Sequence, residues 1–175
     1  MRICIGGDIG SGKSSVAKEI AKKLNYECYL GSKIYRDYVI KHDMTMLEIV
    51  NYPEIISKID KEIDEYQESL NKKDNFVIDS RLGYFFIKNS IKIYLKTSFN
   101  VATNRIFNAN RESEKYSNIN ELKNEIINRT KEESQRFLSL YKTDPHNLKN
   151  FDIIIDTNEI NIDETVKKIL EQIKQ

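Results

Sequence analysis

The residues with the clearest chemical potential lie near the start of the chain, in the stretch GDIGSGKS at Gly7–Ser14. This stretch matches the pattern G-x-x-x-x-G-K-[ST], whose glycines let successive backbone N–H groups converge on phosphate oxygens. The Lys13 ammonium is expected to reach the β- and γ-phosphates, and the Ser14 hydroxyl is expected to ligate Mg²⁺. Asp8 is expected to be a solvated or capping side chain rather than a catalyst. The residues expected to surround the phosphates are Gly7, Asp8, Ile9, Gly10, Ser11, Gly12, Lys13, Ser14 and Ser15.

A phosphate loop of this kind needs a strand before it and a helix after it, and the flanking sequence predicts both. The apolar run ICIGG precedes the loop, and KSSVAKEIAKKL follows it with Val16, Ile20 and Leu24 at helical spacing. Further strands are predicted at YECYL, NFVID (75–79), IKIYL (91–95) and FDIIID (151–156), with helical segments between them. Alternating strands and helices predict a parallel sheet covered on both faces, in one α/β domain over residues 1–175. The Asn-rich residues 108–128 are a candidate mobile insert.

The composition narrows the classes of partner. The chain has 28 basic and 27 acidic residues, so no overall field favours a nucleic acid polymer or an anionic membrane. No apolar run approaches the roughly 18 residues that span a bilayer, and a cytoplasmic protein is expected. Cys4 and Cys28 are expected to be reduced core thiols, without the partners of a zinc site. His42 and His146 are expected at the surface, without a partner that would make either a catalytic base.

A second motif, NKKD at Asn71–Asp74, fits the guanine-reading pattern N-K-x-D of GTPase switches. In such switches this motif follows a strand and lies downstream of a D-x-x-G turn. Here it precedes the strand NFVID, and the segment at Asp79 reads DSRLG. A polar turn between a helix and a strand readily produces such letters. The pattern therefore does not favour a GTPase, and a motor ATPase would need a longer chain.

The arginines indicate a second phosphate-bearing ligand. The chain has seven arginines and 21 lysines, and a guanidinium grips phosphate oxygens bidentately where an ammonium acts as a point charge. Arg36 follows the second predicted strand, and Arg81 follows the third. Because ligands of open parallel sheets bind at the carboxyl ends of strands, both arginines are expected to face the phosphate loop there.

A third group of charges lies in NRTKEESQR, where Arg129, Glu133 and Arg136 share one helical face. Glu133 is expected to hold both guanidiniums. One interpretation is a solvated salt-bridge face, and the other is a lid that closes over a transferring phosphoryl group. A lid would exclude water, which otherwise competes for the phosphate. The phosphate loop and the two strand-end arginines favour the lid.

These residues together resemble the nucleoside monophosphate kinases, and among them the short cytidylate kinases of archaeal type. The resemblance covers GDIGSGKSS, GSKIYR, NFVIDSRLG, IKIYLKTS, NVATNRIFNANRE, NRTKEESQRFLSLY and FDIIIDT. It implies a P-loop kinase fold, with a five-stranded parallel sheet of order 2-3-1-4-5 and a helical lid. It also implies transfer of the ATP γ-phosphate to CMP or dCMP with Mg²⁺, by a protein expected to be monomeric.

The resemblance also implies roles for single residues. Arg36 and Arg81 correspond to arginines that bind the acceptor monophosphate, within an acceptor-binding helical segment at about 30–73. Asp79 corresponds to an acidic residue that helps to place Mg²⁺ and the acceptor. In the lid, at about 108–142, Arg129, Glu133 and Arg136 match the spacing R-x-x-x-[DE]-x-x-R. Arg105 matches an arginine near the donor adenine, and Arg111 is assigned to the lid.

Two positions depart from the family's pattern. Ser80 stands where the third strand usually continues with glycine, and Ile9 stands where a proline often precedes the second loop glycine. The first departure lies on the acceptor side, so it affects specificity for the base more than the chemistry. Alternative acceptors are UMP, AMP or a small metabolite, and a non-catalytic nucleotide-binding regulator is the alternative from another class.

Overall fold

The computed structural model describes residues 1–42, 52–109 and 118–173, with the side chains of residues 32, 34–36 and 39 outside that description. Within these ranges five strands alternate with seven α-helices. The strands are β1 (Arg2–Gly7), β2 (Glu27–Leu30), β3 (Phe76–Asp79), β4 (Ile91–Lys96) and β5 (Ile153–Asp156). The helices are α1 (Lys13–Leu24), α2 (Gly31–Lys41), α3 (Pro53–Ser69), α4 (Gly83–Phe86), α5 (Phe99–Asn108), α6 (Ile119–Tyr141) and α7 (Ile162–Ile173). Every predicted strand is confirmed.

The strands form one parallel sheet of order β2-β3-β1-β4-β5, which confirms the predicted P-loop kinase topology. In the register of this sheet, Ile5 of β1 pairs with Asp79 of β3 on one side and with Ile93 of β4 on the other. The carboxyl ends of all five strands therefore lie along one edge. The strand order reverses at β1, and the phosphate loop leaves β1 at this point, where open α/β sheets bind ligands.

Both faces of the sheet are covered, because side chains of a strand alternate between the two faces. Ile3 and Ile5 belong to the cluster packed with α1 and α7, whereas Cys4 belongs to the opposite cluster, with Ile78 and Ile87. Cys4 is buried and Cys28 is half-buried, and both are free thiols. Helices on both faces follow directly from this alternation.

The described residues that follow β4 form α5 and α6, and α6 carries an unusual buried face. Its amino-terminal half packs on α5 through Leu122 and Ile126, and its carboxyl-terminal half packs through Phe137 on the aromatic cluster with Tyr94. Between these apolar contacts Glu133 is only 6% exposed. Of the segment predicted as a mobile insert, residues 119–128 belong to α6, and residues 110–117 lie outside the described residues.

The NKKD stretch lies at the opposite edge of the sheet from the phosphate loop. Asn71 is in a short 3₁₀ turn before β3, and its side-chain amide donates to the Phe86 carbonyl. Asp74 pairs with Arg2 at the start of β1, over 2.9 Å. The motif therefore forms a structural turn at the amino ends of the strands. Across the described ranges, the structure has no helix of the length and apolar content that a membrane span requires.

Candidate active site

The phosphate loop is fixed against β4 before it turns into α1. Gly7 has φ of +145°, and a Cβ there would lie 2.4 Å from the Leu95 carbonyl oxygen, so only glycine fits. The next residue, Asp8, donates its backbone N–H to that same carbonyl over 3.0 Å. Gly12 has φ of +89° and immediately precedes Lys13, the first residue of α1. The first turn of α1 therefore points its free N–H groups into the loop, as an anion site requires.

Lys13 lies at the centre of the loop, and its ammonium donates to two backbone carbonyls. Nζ lies 2.9 Å from the Gly7 oxygen and 2.7 Å from the Asp8 oxygen. Burial lowers the pKa of Lys13 to about 8, while the carboxylate of Asp79 raises it and the guanidinium of Arg81 lowers it further. The lysine is thus a partly buried cation whose charge is sensitive to its neighbours.

Ser14 and Asp79 lie together across the loop. The Ser14 hydroxyl donates to Oδ2 of Asp79 over 2.5 Å, which joins the first turn of α1 to the carboxyl end of β3. Both groups offer oxygen ligands, the type that Mg²⁺ prefers, and Mg²⁺ commonly takes one carboxylate with phosphates and water. The described residues contain no group of three or more His, Cys, Asp or Glu that could hold a metal without other ligands. The donor set at Ser14 and Asp79 therefore fits Mg²⁺.

Glu133 of α6 joins two arginines from different elements. Its Oε2 accepts from Nε of Arg81 over 2.5 Å, and its Oε1 accepts from Nε of Arg129 over 3.2 Å. Burial by itself raises the pKa of Glu133, but the charges of Arg81 and Arg129 outweigh it and lower the pKa to about 2. A solvated salt-bridge face is therefore the wrong interpretation of this helix, since the carboxylate and both guanidiniums are largely buried.

Arg136 does not share Glu133, so that part of the prediction is wrong. Its Nε lies 3.1 Å from Oδ2 of Asp60, a buried residue of α3. Arg136 is three positions beyond Glu133, on the part of α6 that meets α3, and there the buried Asp60 provides the nearer carboxylate. A second contact joins the same two helices, because the Tyr141 hydroxyl donates to the carboxylate of Asp64. Burial raises the pKa of Asp64 to about 6.

A cavity of about 860 Å³ opens beside the loop, between α1 and the start of α7. Arg105 of α5 lines it, where the resemblance places the donor adenine. Its guanidinium is held by Thr157, with Nη1 3.2 Å from the hydroxyl and Nη2 2.5 Å from the carbonyl oxygen. The wall opposite the loop consists of Thr157, Ile160, Asn161, Ile162, Asp163 and Thr165. The sequence did not lead us to predict these cavity residues. A signal was present, because they follow the carboxyl end of β5, just as Arg81 follows the carboxyl end of β3.

Asp8 and His146 occupy environments that differ from those predicted. Asp8 is not a solvated side chain, because Oδ1 accepts from the Tyr94 hydroxyl and Oδ2 accepts from the Thr97 N–H. Burial raises the pKa of Asp8, but the neighbouring His146 and the hydrogen bonds from Tyr94 and Thr97 together hold it below its ordinary value. His146 is not a surface histidine without a partner, since its Nδ1 lies 2.9 Å from the Tyr94 hydroxyl. The spacing of Asp8, Tyr94 and His146 in the sequence does not predict that they are in contact.

Ser80, the departure from the family's glycine, has a defined role in the structure. Its hydroxyl donates to Oε1 of Gln67 over 2.5 Å, and both residues are buried. Gln67 is on α3, so this bond attaches α3 to the chain between Asp79 and Arg81. On α3, Asp60 and Gln67 interrupt the buried stripe of Ile56 and Ile59. That interruption is a signal in the sequence, because polar residues on a buried helical face need partners.

Two predicted site residues lie outside the described residues. The backbone of Arg36 belongs to α2, but its side chain is not described, and Arg111 falls within residues 110–117. Their assigned roles remain expectations. Apart from Arg136, the structure brings the other predicted charged and hydroxyl groups to one edge of the sheet, with Lys13 and Ser14 at the loop, Asp79 and Arg81 at the end of β3, and Arg129 and Glu133 on α6. Arg105 lines the adjoining cavity.

The chain is similar in sequence to known proteins over nearly its whole length. A family model described as the cytidylate kinase-like family matches residues 2–159. The chain is 33% identical over 178 residues to the cytidylate kinase of Methanosphaera stadtmanae, with 99% of this chain and 100% of that protein covered. It is also 36% identical over 172 residues to the S-adenosylmethionine-dependent nucleotide dehydratase of Lacinutrix mariniflava, with 97% of this chain but 35% of that protein covered.

Among solved structures, shikimate kinase from Bacteroides thetaiotaomicron superposes with a TM-score of 0.68. The superposition covers 100% of this chain and 99% of that one, at 17% sequence identity. At this identity the likeness shows the fold alone, which is the P-loop kinase fold.

Proposed function

This chain belongs to the cytidylate kinase-like family, and we propose that it transfers the γ-phosphoryl group of ATP to CMP or dCMP. In this reaction an oxygen of the acceptor monophosphate bonds to the γ-phosphorus. The bond from that phosphorus to the β,γ-bridging oxygen breaks, and the products are ADP and CDP or dCDP. The 30–73 segment would hold the acceptor and the 108–142 segment would be the lid, within one kinase domain.

One observation carries the proposal, namely the concentration of cations around Glu133 at the phosphate loop. Arg81 and Arg129 both bond to this carboxylate, and Lys13 lies within electrostatic range of Arg81 and Glu133. Phosphoryl transfer places negative charge on the equatorial oxygens of the transferring group, and fixed cations stabilise that charge. A set of guanidiniums oriented by a buried carboxylate needs little reorganisation during the reaction.

The donor site is assigned to the loop and the adjoining cavity. The loop N–H groups and Lys13 would bind the polyphosphate, and the cavity lined by Arg105 would take the nucleoside. Ser14 and Asp79 would hold Mg²⁺, which when bound neutralises charge on the β- and γ-phosphates. The hydrogen bond between Ser14 and Asp79 keeps the two oxygen ligands in position.

The acceptor site is assigned to the edge between β3 and α2, where Arg36 and Arg81 would bind the monophosphate. No general base is required, because the attacking phosphate oxygen is already ionised near pH 7. This chemistry agrees with the position of His146, whose Nδ1 is engaged by Tyr94. The chain's own contribution is to align the two phosphates, orient the cations and exclude water.

A coupled assay of ADP release across CMP, dCMP, UMP, AMP and a hydroxyl-bearing metabolite tests the proposal. We expect CMP and dCMP to give the highest kcat/KM, and ATP alone to give slow ADP release, because closure needs the acceptor. Higher kcat/KM for another acceptor would assign that substrate instead. ATP binding without ADP release under any condition would favour the non-catalytic regulator, and equally fast ATP loss without acceptor would refute phosphotransfer.

A further inference from the structure

Three side chains, those of Asp8, Tyr94 and His146, form a hydrogen-bonded relay behind the phosphate loop. The hydroxyl of Tyr94 on β4 lies 2.5 Å from Oδ1 of Asp8 and 2.9 Å from Nδ1 of His146. Nδ1 of His146 is also 3.6 Å from the same oxygen of Asp8. Tyr94 is only 2% exposed, whereas Asp8 and His146 are half-buried.

The number of available protons fixes the direction of each bond. A tyrosine hydroxyl has one proton, and the ionised Asp8 carboxylate can only accept, so Tyr94 donates to Asp8. The Tyr94 oxygen must then accept from His146, which places a proton on Nδ1. Burial and the nearby Asp8 raise the pKa of Tyr94, so the hydroxyl keeps its proton at neutral pH. The second oxygen of Asp8 accepts from the Thr97 N–H over 2.8 Å.

The relay continues to α6 through Asp144. The backbone N–H of His146 donates to Oδ1 of Asp144 over 2.9 Å, and the Ser134 hydroxyl donates to the same oxygen over 3.0 Å. Ser134 is the direct neighbour of Glu133, which orients Arg81 and Arg129. Hydrogen bonds made by the ring and by the backbone of His146 therefore connect the phosphate loop, through that residue, to the part of α6 that holds these arginines.

The His146 ring is held through one of its two nitrogens. Nε2 of His146 is buried and has no hydrogen-bond partner among the described residues. Nδ1 is therefore the ring atom that joins His146 to Tyr94.

We propose that Asp8, Tyr94 and His146 are positioning residues that couple the phosphate loop to α6. The carboxylate of Asp8 is held by Tyr94 and Thr97, while the backbone carbonyls of Gly7 and Asp8 hold Lys13. The relay thus fixes the part of the loop on which the lysine rests. This inference rests on the proposed function only in taking the loop as the ATP site.

The first test removes the Tyr94 hydroxyl and leaves the ring. Tyr94→Phe should weaken ATP binding in equilibrium titration, and raise the KM for ATP, by about tenfold, the order expected for one bond to a charged group. The KM for CMP should change by less than about twofold. Tyr84→Phe is a matched control, since Tyr84 is buried in the same aromatic cluster and its hydroxyl contacts Thr143 over 2.9 Å rather than Asp8 or His146. Equal effects of the two variants on ATP affinity would overturn the proposal.

The histidine is tested by comparing two replacements. His146→Ala should weaken ATP binding, and His146→Asn should recover most of the loss, because an asparagine amide can donate where Nδ1–H does. If the role of His146 were purely structural, His146→Asn would restore thermal stability but would not restore ATP affinity. That result would overturn the assignment of His146.

Coupling to α6 is tested by a double-mutant cycle between Ser134→Ala and Tyr94→Phe. If the relay is continuous, the effect of Ser134→Ala on ATP affinity should largely disappear in the Tyr94→Phe background. Additive effects would show that the relay ends before α6. The readout is ATP binding, so it remains valid even if the wild-type protein phosphorylates an acceptor other than CMP.

Discussion

Arg81 donates from Nε to Oε2 of Glu133 over 2.5 Å, which joins the carboxyl end of β3 to the middle of α6. The other oxygen of Glu133 accepts from Arg129, four residues earlier on the same helix. A single buried carboxylate thus orients two guanidiniums that come from different elements. Glu133 is accordingly a positioning residue for the proposed transfer, and its loss should affect both arginines at once.

Glu133→Gln should lower kcat by about tenfold to a hundredfold, because both guanidiniums lose the charge that orients them. It should also lower the free energy of unfolding by about 3–5 kcal/mol, as expected when a buried ion pair loses one partner. Steady-state kinetics and urea unfolding measure the two effects. Glu132→Gln is the matched control, since Glu132 is the exposed neighbour on the same helix. Similar losses in both variants would contradict the role of Glu133.

Lys13→Ala should reduce kcat by about 10³ or more, because a fixed charge acts mainly on the transition state. Lys22→Ala on the same helix changes charge by the same amount at an exposed position and should leave kcat near normal. Single-turnover measurements with saturating ATP would separate the chemical step from product release. Near-normal turnover of Lys13→Ala would remove the phosphate-loop assignment.

The pKa of Lys13 gives a prediction for pH dependence. Burial lowers this pKa to about 8 from its ordinary value, so the free protein loses the cation as pH rises through about 8. Because kcat/KM for ATP reports the free enzyme, it should fall above that pH, by about tenfold for each further pH unit. In Lys13→Arg the cation persists, so this fall should disappear even if activity is lower. A fall that persists unchanged in Lys13→Arg must come from another group.

The proposed Mg²⁺ ligands predict a change in metal requirement. Ser14→Ala and Asp79→Asn should each raise the Mg²⁺ concentration for half-maximal activity by at least about tenfold, since each removes or weakens an oxygen ligand. Removal of Mg²⁺ with a chelator should stop transfer in the wild-type protein. Ser139→Ala, at an exposed position of α6, is the control. An unchanged Mg²⁺ titration in both variants would show that these oxygens do not hold the metal.

The bond between Ser80 and Gln67 predicts a stability effect that can be reversed. Ser80→Ala should cost about 1–3 kcal/mol, because Oε1 of buried Gln67 loses its donor. Adding Gln67→Leu should recover much of this loss, since two apolar groups then replace the polar pair. The helix α3 belongs to the proposed acceptor segment. The single variant Ser80→Ala and the double variant with Gln67→Leu should therefore both raise the KM for CMP and leave the KM for ATP nearly unchanged. Equal changes in the two KM values would place Ser80 outside the acceptor site.

Much of the fold could be predicted from the sequence. The alternation of short apolar runs with helical periodicity identified all five strands, because buried parallel strands need continuous apolar stretches. The loop motif at Gly7–Ser14 predicted the strand, turn and helix around it, since its glycines are required by local geometry. The position of Arg81 after a strand also predicted its edge of the sheet. These are local properties, and the chain encodes them in adjacent residues.

Local sequence patterns identified the phosphate loop and the kinds of charge available, and the resemblance to a known family supplied the strand order. The tertiary structure decided which charges meet. Spacing along α6 predicted that Glu133 would hold Arg129 and Arg136, but packing brought Arg81 to Glu133 and left Arg136 to Asp60. Along the chain, 86 residues separate Asp8 from Tyr94 and 52 separate Tyr94 from His146, so no local sequence pattern predicts their contacts. Such pairings depend on how β-strands and helices pack, because a buried carboxylate binds the cations that the fold places nearest, whatever their separation along the chain.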